Sequence, residues 1–180
     1  MIDDILAFNK TFVNDKKYEP YATSKYPKKK LAIVTCMDTR LTELLPAALG
    51  IKNGDAKIIK NAGGTIVHPF GSVMRSLLIA VYELGVEDIM VIGHTDCGVQ
   101  HMDVDEMIKA MTDRGVPEET IEQMKYYGID FDKWIGGFDC VDTAVKESVE
   151  LLENHTLIPE NVSIYGYVIN TETGELMDVK

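Results

Sequence analysis

Residues 31–40, LAIVTCMDTR, place a run of apolar and β-branched side chains directly before a cluster of reactive ones. The run shows no polar alternation as far as Thr35, which is typical of a strand covered on both faces. A second stretch of this kind, DIMVIGHTDCG at 88–98, leads into His94 and Cys97. Because ligands bind at the carboxyl ends of parallel strands, the two stretches predict one site at a sheet edge if the two strands are neighbours.

The rest of the chain alternates between helical and strand-like patterns. Residues 72–84 repeat apolar side chains at three- and four-residue spacing, with Gly85 where a C-terminal cap belongs. Further helices are predicted near the N-terminus and at 41–49, 101–113, 117–126 and 141–153, with strands at 57–60 and 163–169 and an irregular segment at 127–138. This alternation predicts an α/β fold, a mainly parallel central sheet flanked by helices. We expect a single domain over 1–180, with an N-terminal helical arm over about 1–27.

Composition excludes several classes of partner. The chain has 180 residues and a formal net charge of −11, which argues against nucleic acid and anionic membranes. Its three cysteines are too few and too scattered for a disulfide framework, so we expect a reducing compartment with functional thiols. Acidic residues 3 and 4 stand where a secretory signal carries basic ones. The longest apolar run, 77–82, is far short of the roughly 20 residues of a membrane span. These features predict a cytoplasmic protein.

Two cysteines and one histidine follow the two strands. Cys36, His94 and Cys97 form a soft donor set that favours zinc, and three protein ligands leave one tetrahedral position for water or substrate. Asp38 and Asp96 are the local candidates for a fourth ligand. The alternative is that both cysteines are ordinary small buried residues at strand ends.

Asp38 and Arg40 carry a second hypothesis. Alternate residues leaving a strand can bring a carboxylate and a guanidinium together, and a paired Asp38 stays ionised. Such a carboxylate can ligate a metal, or it can accept a hydrogen bond from the nucleophile and orient it. A purely structural ion pair that fixes the loop is the alternative.

With these residues identified, the sequence resembles the beta class of carbonic anhydrases, in its small prokaryotic branch. The resemblance extends over about residues 5–175 and includes the segment 60–63. The family's Cys-x-Asp-x-Arg and His-x-x-Cys-Gly motifs stand here as Cys36, Asp38, Arg40, His94, Cys97 and Gly98.

The resemblance implies a cofactor, an assembly and a core. It implies one Zn²⁺ per subunit, held by Cys36, His94 and Cys97, and a sheet with a four-stranded parallel core. It also implies a homodimer or a higher even homo-oligomer, with active sites near the subunit interface.

The implied activity is the reversible hydration of CO2 to bicarbonate and a proton, through attack by a zinc-bound hydroxide in a small apolar pocket. Asp38 and Arg40 then orient the nucleophile, and Gly63 and Gly98 bring backbone close to the site. Some members close the site with the aspartate, linked to a bicarbonate pocket that uses a tryptophan three residues before the first cysteine. Ile33 stands at that position, so we expect the open form, with Asp38 held by Arg40.

Two other functions remain open. Members of the same superfamily hydrolyse carbonyl sulfide or carbon disulfide with the same ligand set, and sequence separates these substrates poorly. A non-catalytic zinc-stabilised module is the second alternative, and Asp38 as a permanent fourth ligand would support it. A thiol redox protein is disfavoured, because the sequence has no Cys-x-x-Cys pair.

Other titratable side chains lie outside the two motifs. His68 and His101 are candidate proton carriers, because histidine titrates near neutral pH, although a loop or surface histidine is the simpler interpretation of each. Cys140 lies outside both motifs and is predicted to be a free, partly buried thiol. His155 is assigned a structural role.

Overall fold

The computed structural model describes residues 1–179, which contain one five-stranded sheet. The strands are β1 Leu31–Cys36, β2 Ala56–Asn61, β3 Asp88–His94, β4 Ser163–Ile169 and β5 Leu176–Asp178. Their order is β2-β1-β3-β4-β5. The first four strands pair in parallel, and β5 is antiparallel to β4. This arrangement confirms the mainly parallel sheet with a four-stranded parallel core.

Helices connect the strands and cover both faces of the sheet. They are α1 Ile2–Asn14, α2 Leu41–Ala48, α3 Ser72–Leu84, α4 Val104–Asp113, α5 Glu118–Tyr126, α6 Phe131–Ile135 and α7 Val141–Glu153, with a 3-10 turn at Glu19–Tyr21. The α/β fold class is therefore confirmed. The assignment of residues 1–180 to one domain with an arm over about 1–27 stays a prediction.

Two apolar clusters form the core, one on each face of the sheet. Helices α3 and α7 bury Leu77 and Val145 in the first cluster, together with Val34 of β1. Helix α2 buries Leu45 in the second, together with Ile33, the neighbour of Val34 along the strand. Successive side chains of β1 thus enter opposite clusters, which explains why its sequence shows no polar alternation.

Gly93 brings α7 close to β3, one residue before the strand ends. A Cβ atom at Gly93 would lie 2.6 Å from Val141 Cγ2 and 2.8 Å from Val145 Cγ2. Any side chain at this position would push α7 away from the sheet. The glycine therefore permits α7 to pack closely against β3 just before the strand ends at His94, whose side chain is fully buried.

The structure differs from the predicted elements in three places. Helix α4 begins at Val104 rather than at 101, because the Asp103 carboxylate caps the N–H groups of residues 105 and 106 and His101 has a positive φ of 58°. The segment predicted to be irregular contains the short helix α6, which begins after Asp130, whose side chain also caps a backbone N–H. The three-residue strand β5 was not predicted, since so short a strand shows no periodicity.

Helix α1 has no buried residue, although one of its faces is apolar. Its exposed apolar side chains are Ile2, Ile5, Leu6, Phe8 and Val13. Within the described residues, no helix is both long enough and apolar enough to cross a membrane.

Candidate metal centre

The sheet brings the two predicted motifs together. β1 ends at Cys36 and β3 ends at His94, and the two strands are parallel neighbours with Thr35 opposite Ile92. Their last residues therefore reach the same edge of the sheet, as the sequence predicts. Cys97 follows three residues after His94, and all three side chains are buried.

The three side chains converge on one point. The two sulfurs and a ring nitrogen of Cys36, Cys97 and His94 all lie within 4.8 Å of one another. The sulfurs of Cys36 and Cys97 are 4.0 Å apart and form no disulfide. Two thiolates bound to one zinc ion at about 2.3 Å in a tetrahedron would be about 3.8 Å apart. The observed spacing therefore fits a shared tetrahedral metal ion.

The ring of His94 is oriented as a metal ligand. Its Nδ1–H donates a hydrogen bond to the Thr95 carbonyl at 2.9 Å, which leaves the lone pair on Nε2. Nε2 is fully enclosed and has no hydrogen-bond partner in the described part of the chain. Because a buried polar atom without a partner is costly, this orphaned nitrogen is the strongest sign that the site accommodates a metal ion.

Asp38 is held by Arg40. The Arg40 guanidinium donates from Nε to Asp38 Oδ1 at 3.1 Å and from Nη2 to Oδ2 at 2.8 Å, and the Arg40 backbone N–H also donates to Oδ1 at 2.8 Å. Asp38 Oδ2 lies 3.9 Å from His94 Nε2. The carboxylate thus borders the cluster of Cys36, His94 and Cys97 while both of its oxygens are engaged by Arg40.

Arg40 has a second partner, Asp96, which the sequence suggests as a candidate metal ligand. Its Nη1 donates to Asp96 Oδ2 at 2.9 Å, and its Nη2 donates to the Asp96 carbonyl at 2.8 Å. Asp96, considered from the sequence as a fourth ligand, is instead paired with the guanidinium. The positive φ of 54° at Asp96 turns the loop toward Arg40, and sequence pattern gives no signal for such a turn at an aspartate.

The surroundings of the site shift the pKa values of Asp38 and Cys97. The hydrogen bonds from Arg40 lower the pKa of Asp38 to about 2, so its carboxylate is ionised throughout the neutral range. Burial raises the pKa of the Cys97 thiol, and the neighbouring Cys36 raises it further. Two thiolates side by side therefore need a cation, which a metal ion would supply.

The loop after β2 packs against the backbone of Cys36. Gly64 has a φ of 68°, and a Cβ atom there would lie 2.7 Å from the Cys36 backbone nitrogen. Asn61 pairs with Cys36 in the sheet and donates from Nδ2 to the Thr65 carbonyl at 2.6 Å. Asn61 was not singled out as a functional residue. Its position, two residues before the pair Gly63-Gly64, was the signal in the sequence that its side chain could hold the loop in place.

A cavity of about 910 Å³ opens beside the ligands. It is lined by Cys36 and Asp38 on one side and by largely apolar residues elsewhere, among them Val67, Trp134 and Phe138. The predicted pocket was small, whereas this cavity is far larger than CO2 requires. Gly98 lines it, while Gly63 is buried behind it.

The candidate proton carriers lie elsewhere. His68 accepts a hydrogen bond from the Phe70 backbone N–H, and His101 Nδ1 lies 3.6 Å from Asp139 Oδ1. Both histidines are exposed, and neither belongs to the cavity wall formed by the described residues. Their role as proton carriers stays a prediction.

Cys140 and His155 lie outside the cluster of Cys36, His94 and Cys97. Cys140 is a free thiol, but it is exposed rather than partly buried, because it precedes α7 at the helix N-terminus. His155 is buried, and its Nε2 pairs with the Pro69 carbonyl at 2.9 Å, which is consistent with a structural role.

Known proteins resemble this chain along nearly its whole length. The sequence model of the family described as carbonic anhydrase matches residues 31–176. YtiB of Bacillus subtilis (strain 168), provisionally named a carbonic anhydrase, is 53% identical over 176 residues, covering 98% of this chain and 94% of that protein. A carbon disulfide hydrolase of Acidithiobacillus thiooxidans is 33% identical over 156 residues, covering 82% of this chain and 76% of that protein.

Solved structures give the same assignment. The crystal structure of beta-carbonic anhydrase isoform I from the protozoan Trichomonas vaginalis superposes with a TM-score of 0.89 at 35% identity, covering 99% of this chain and 97% of that one. Sequence identity and shared architecture thus agree with the motifs at the two strand ends. The chain belongs to the carbonic anhydrase family, in its beta class.

Proposed function

We propose that this protein binds one zinc ion per subunit through Cys36, His94 and Cys97 and catalyses the reversible hydration of CO2 to bicarbonate and a proton. One observation carries the proposal. The three donor atoms lie within 4.8 Å of one another, with an ionised Asp38 at their border and a cavity in front. Family membership supports the same reaction.

The donor set determines what the metal centre offers. A bound zinc ion lowers the pKa of water and stabilises negative charge on oxygen. Cys36 and Cys97 cancel its two positive charges, and the Nδ1–H of His94 holds the imidazole in the tautomer that leaves Nε2 as ligand. The buried position of all three side chains keeps competing water away from the ligand atoms.

Asp38 acts as an acceptor that orients the attacking water. A general base works best when its pKa is near the operating pH, and the pKa of Asp38 is held at about 2. The carboxylate therefore accepts a hydrogen bond and aligns the nucleophile without taking the proton. Arg40 keeps it in place through two guanidinium hydrogen bonds.

The cavity provides the substrate's approach. CO2 is small, neutral and apolar, so apolar side chains such as Val67, Val99 and Phe138 accept it without polar contacts. Gly98 lines the cavity, and a Cβ at this position would meet nothing within 4 Å, which leaves room next to the ligands. A net charge of −11 does not repel a neutral substrate.

Hydrolysis of carbon disulfide or carbonyl sulfide is the second candidate. It is favoured by the 33% identity to a carbon disulfide hydrolase and by a cavity of about 910 Å³, which admits these larger linear molecules. The non-catalytic zinc module has less support, because its fourth ligand would be Asp38, and both Asp38 oxygens are engaged by Arg40.

Stopped-flow CO2 hydration by protein of measured zinc content tests the proposal. Cys36→Ser should lose zinc and at least roughly 100-fold in rate, and Asp38→Ala should lose rate while keeping zinc. Cys140→Ser is the matched control, because this cysteine is exposed and outside the site. Parallel assays with carbon disulfide and carbonyl sulfide identify the preferred substrate. Normal CO2 hydration by zinc-free Cys36→Ser protein would refute the proposal.

We also propose that the protein assembles as a homodimer or a higher even homo-oligomer. The support is helix α1, which buries none of its residues and exposes apolar side chains such as Leu6 and Phe8. Light scattering coupled to size-exclusion chromatography should give a mass of at least two chains. A monomer at micromolar concentration would contradict this.

A further inference from the structure

We propose that the Thr65 hydroxyl is a positioning group that hydrogen-bonds an oxygen of the bound substrate or product and favours oxygen over sulfur substrates. The inference rests on the function proposed above and assigns a specificity role to a residue outside both ligand motifs. Thr65 lines the same cavity as Cys36 and Asp38.

The Thr65 side chain is buried, but its hydroxyl has no protein partner. The residue is 5% exposed. Within residues 1–179, no hydrogen bond joins its Oγ1 to another group. In the part of the chain that the structure describes, the fully enclosed side-chain nitrogen and oxygen atoms without a partner are Asn61 Oδ1 and His94 Nε2, and Thr65 Oγ1 is not among them. The hydroxyl therefore retains access to the cavity, where a ligand can reach it.

The position of the hydroxyl relates it to the metal centre. Thr65 Oγ1 and Val99 Cγ1 lie 3.5 Å and 3.6 Å from the point that a Cβ on Gly63 would occupy. Val99 is two residues after Cys97, and Gly64 contacts the backbone of Cys36. Thr65 thus belongs to the loop that packs against the Cys36 backbone, and its hydroxyl and Val99 both border Gly63 at the wall of a largely apolar cavity.

Rigid neighbours hold the hydroxyl in place. The Thr65 carbonyl accepts a hydrogen bond from Asn61 Nδ2 at 2.6 Å, and the next backbone N–H, of Ile66, donates to Ser148 Oγ at 2.9 Å. Ser148 Oγ in turn donates to the Ala144 carbonyl at 2.8 Å, so its own hydrogen is engaged. Thr65, held on both sides, offers the free buried hydroxyl at this wall. A donor fixed before the reaction needs no reorganisation when charge develops.

The chemistry of the hydroxyl favours an oxygen-bearing ligand. Valine has the same shape and would present only apolar surface here, whereas the threonine hydroxyl can hydrogen-bond a ligand in the cavity. Bicarbonate offers negatively charged oxygens, and charge develops on the same oxygens as CO2 is hydrated. Sulfur is a weak acceptor, so carbon disulfide gains little from the same group.

Bicarbonate binding to the zinc-loaded protein, measured by calorimetry at pH 8, tests the inference alongside CO2 and carbon disulfide turnover. Thr65→Val should weaken bicarbonate binding and lower kcat/KM for CO2 by about 5- to 30-fold, the loss expected for one hydrogen bond to a charged or charging oxygen. Carbon disulfide turnover, where present, should change by less than about 2-fold. Thr65→Ser, which keeps the hydroxyl, should restore both CO2 turnover and bicarbonate binding to within about 3-fold of the original protein.

The outcomes separate this inference from the function on which it rests. The valine variant should keep its zinc content and its melting temperature, which a merely structural role would not allow. Weakened bicarbonate binding in a protein that hydrates no CO2 would support the role of Thr65 while refuting the proposed function. Equal bicarbonate binding by the original protein and Thr65→Val, or none by the original protein, would overturn the inference, as would a serine variant as impaired as the valine one.

Discussion

Arg40 donates two hydrogen bonds to Asp96, one to its carboxylate at 2.9 Å and one to its backbone carbonyl at 2.8 Å. The same guanidinium holds Asp38, which follows the first cysteine by two residues. Asp96 directly precedes Cys97. Arg40 therefore joins the loop that follows Cys36 to the loop that carries Cys97.

Replacing Arg40 with lysine should break this junction. A lysine ammonium is a point charge and cannot make the paired contacts to Asp38 while also reaching the Asp96 carbonyl. We expect a roughly 10- to 100-fold loss in kcat/KM for CO2 at nearly full zinc content. Arg75→Lys, on the exposed face of α3, is the matched control. An Arg40→Lys variant with the original rate would show that the planar guanidinium is dispensable.

The buried strands and the two motifs that follow them were predictable from sequence because each depends on a local pattern. The run at 31–35 has no polar alternation, and it is a strand covered on both faces by separate clusters. Because β1 and β3 are parallel neighbours, the side chains after them had to meet at one edge.

The features that sequence did not predict depend on contacts between distant segments. The Asp96 turn toward Arg40 uses a positive φ at a non-glycine residue, for which no periodic pattern exists. The width of the cavity depends on how α6 and α7 are placed around the loop after β2, since residues of all three line it. Such distances follow from the assembled tertiary structure rather than from spacing along the chain.

Thiol reactivity should report the metal. In the zinc-loaded native protein, we expect one rapidly reacting cysteine, Cys140, which is exposed and whose pKa is lowered by a hydrogen bond from the Thr143 backbone N–H. Removing zinc with a chelator should free two further thiols, Cys36 and Cys97, and abolish CO2 hydration; both thiols should react more slowly than Cys140, because they are buried and the pKa of Cys97 is raised. Added zinc should reverse both changes. Three fast thiols in the zinc-loaded protein would contradict this ligand set.

Acid should weaken the contribution of Asp38 to stability. Arg40 lowers the pKa of this carboxyl from 3.8 to about 2, so the folded state favours the ionised form. The resulting stabilisation, of order 2 kcal/mol, is fully present above about pH 4 and is lost as pH falls through about 2. The difference in unfolding free energy between the original protein and Asp38→Asn should therefore be constant from pH 5 to 7.

Urea titrations at intervals down to pH 2.5 measure this difference. It should shrink steadily below pH 4, and Asp55→Asn provides a control at another aspartate that accepts a backbone hydrogen bond. A difference that grows as the pH falls would have the wrong sign for a carboxylate stabilised by Arg40.

CO2 hydration should increase with pH in the mildly alkaline range. Two thiolates cancel the charge of a zinc ion, whereas the three histidines of another carbonic anhydrase class leave it intact and give a catalytic water pKa of about 7. The less positive centre here should acidify water less, so kcat/KM should rise above roughly pH 7.5. Asp38, already ionised, contributes no inflection in this range. A flat profile between about pH 6.5 and 9 would refute this.

Gly64→Ala should damage both the fold and the metal site. Gly64 has a φ of 68°, and a Cβ there would lie 2.7 Å from the Cys36 nitrogen and 2.9 Å from the Thr35 carbonyl carbon. The left-handed backbone alone costs an alanine about 1–2 kcal/mol, and overpacking against a rigid strand adds about 1–3 kcal/mol. Since the contact is with the backbone of a ligand residue, zinc affinity should fall as well.

Gly85→Ala separates the two contributions. Gly85 has nearly the same φ, 71°, but a Cβ there would meet nothing within 4 Å. Its alanine variant should therefore lose only the free energy of unfolding that the left-handed backbone costs, and it should keep its zinc affinity. Chemical denaturation and competition with a zinc chelator measure both quantities in both variants. If the two alanines cost the same and neither weakens zinc binding, Gly64 is required only for its backbone angle, and the loop after β2 does not position Cys36.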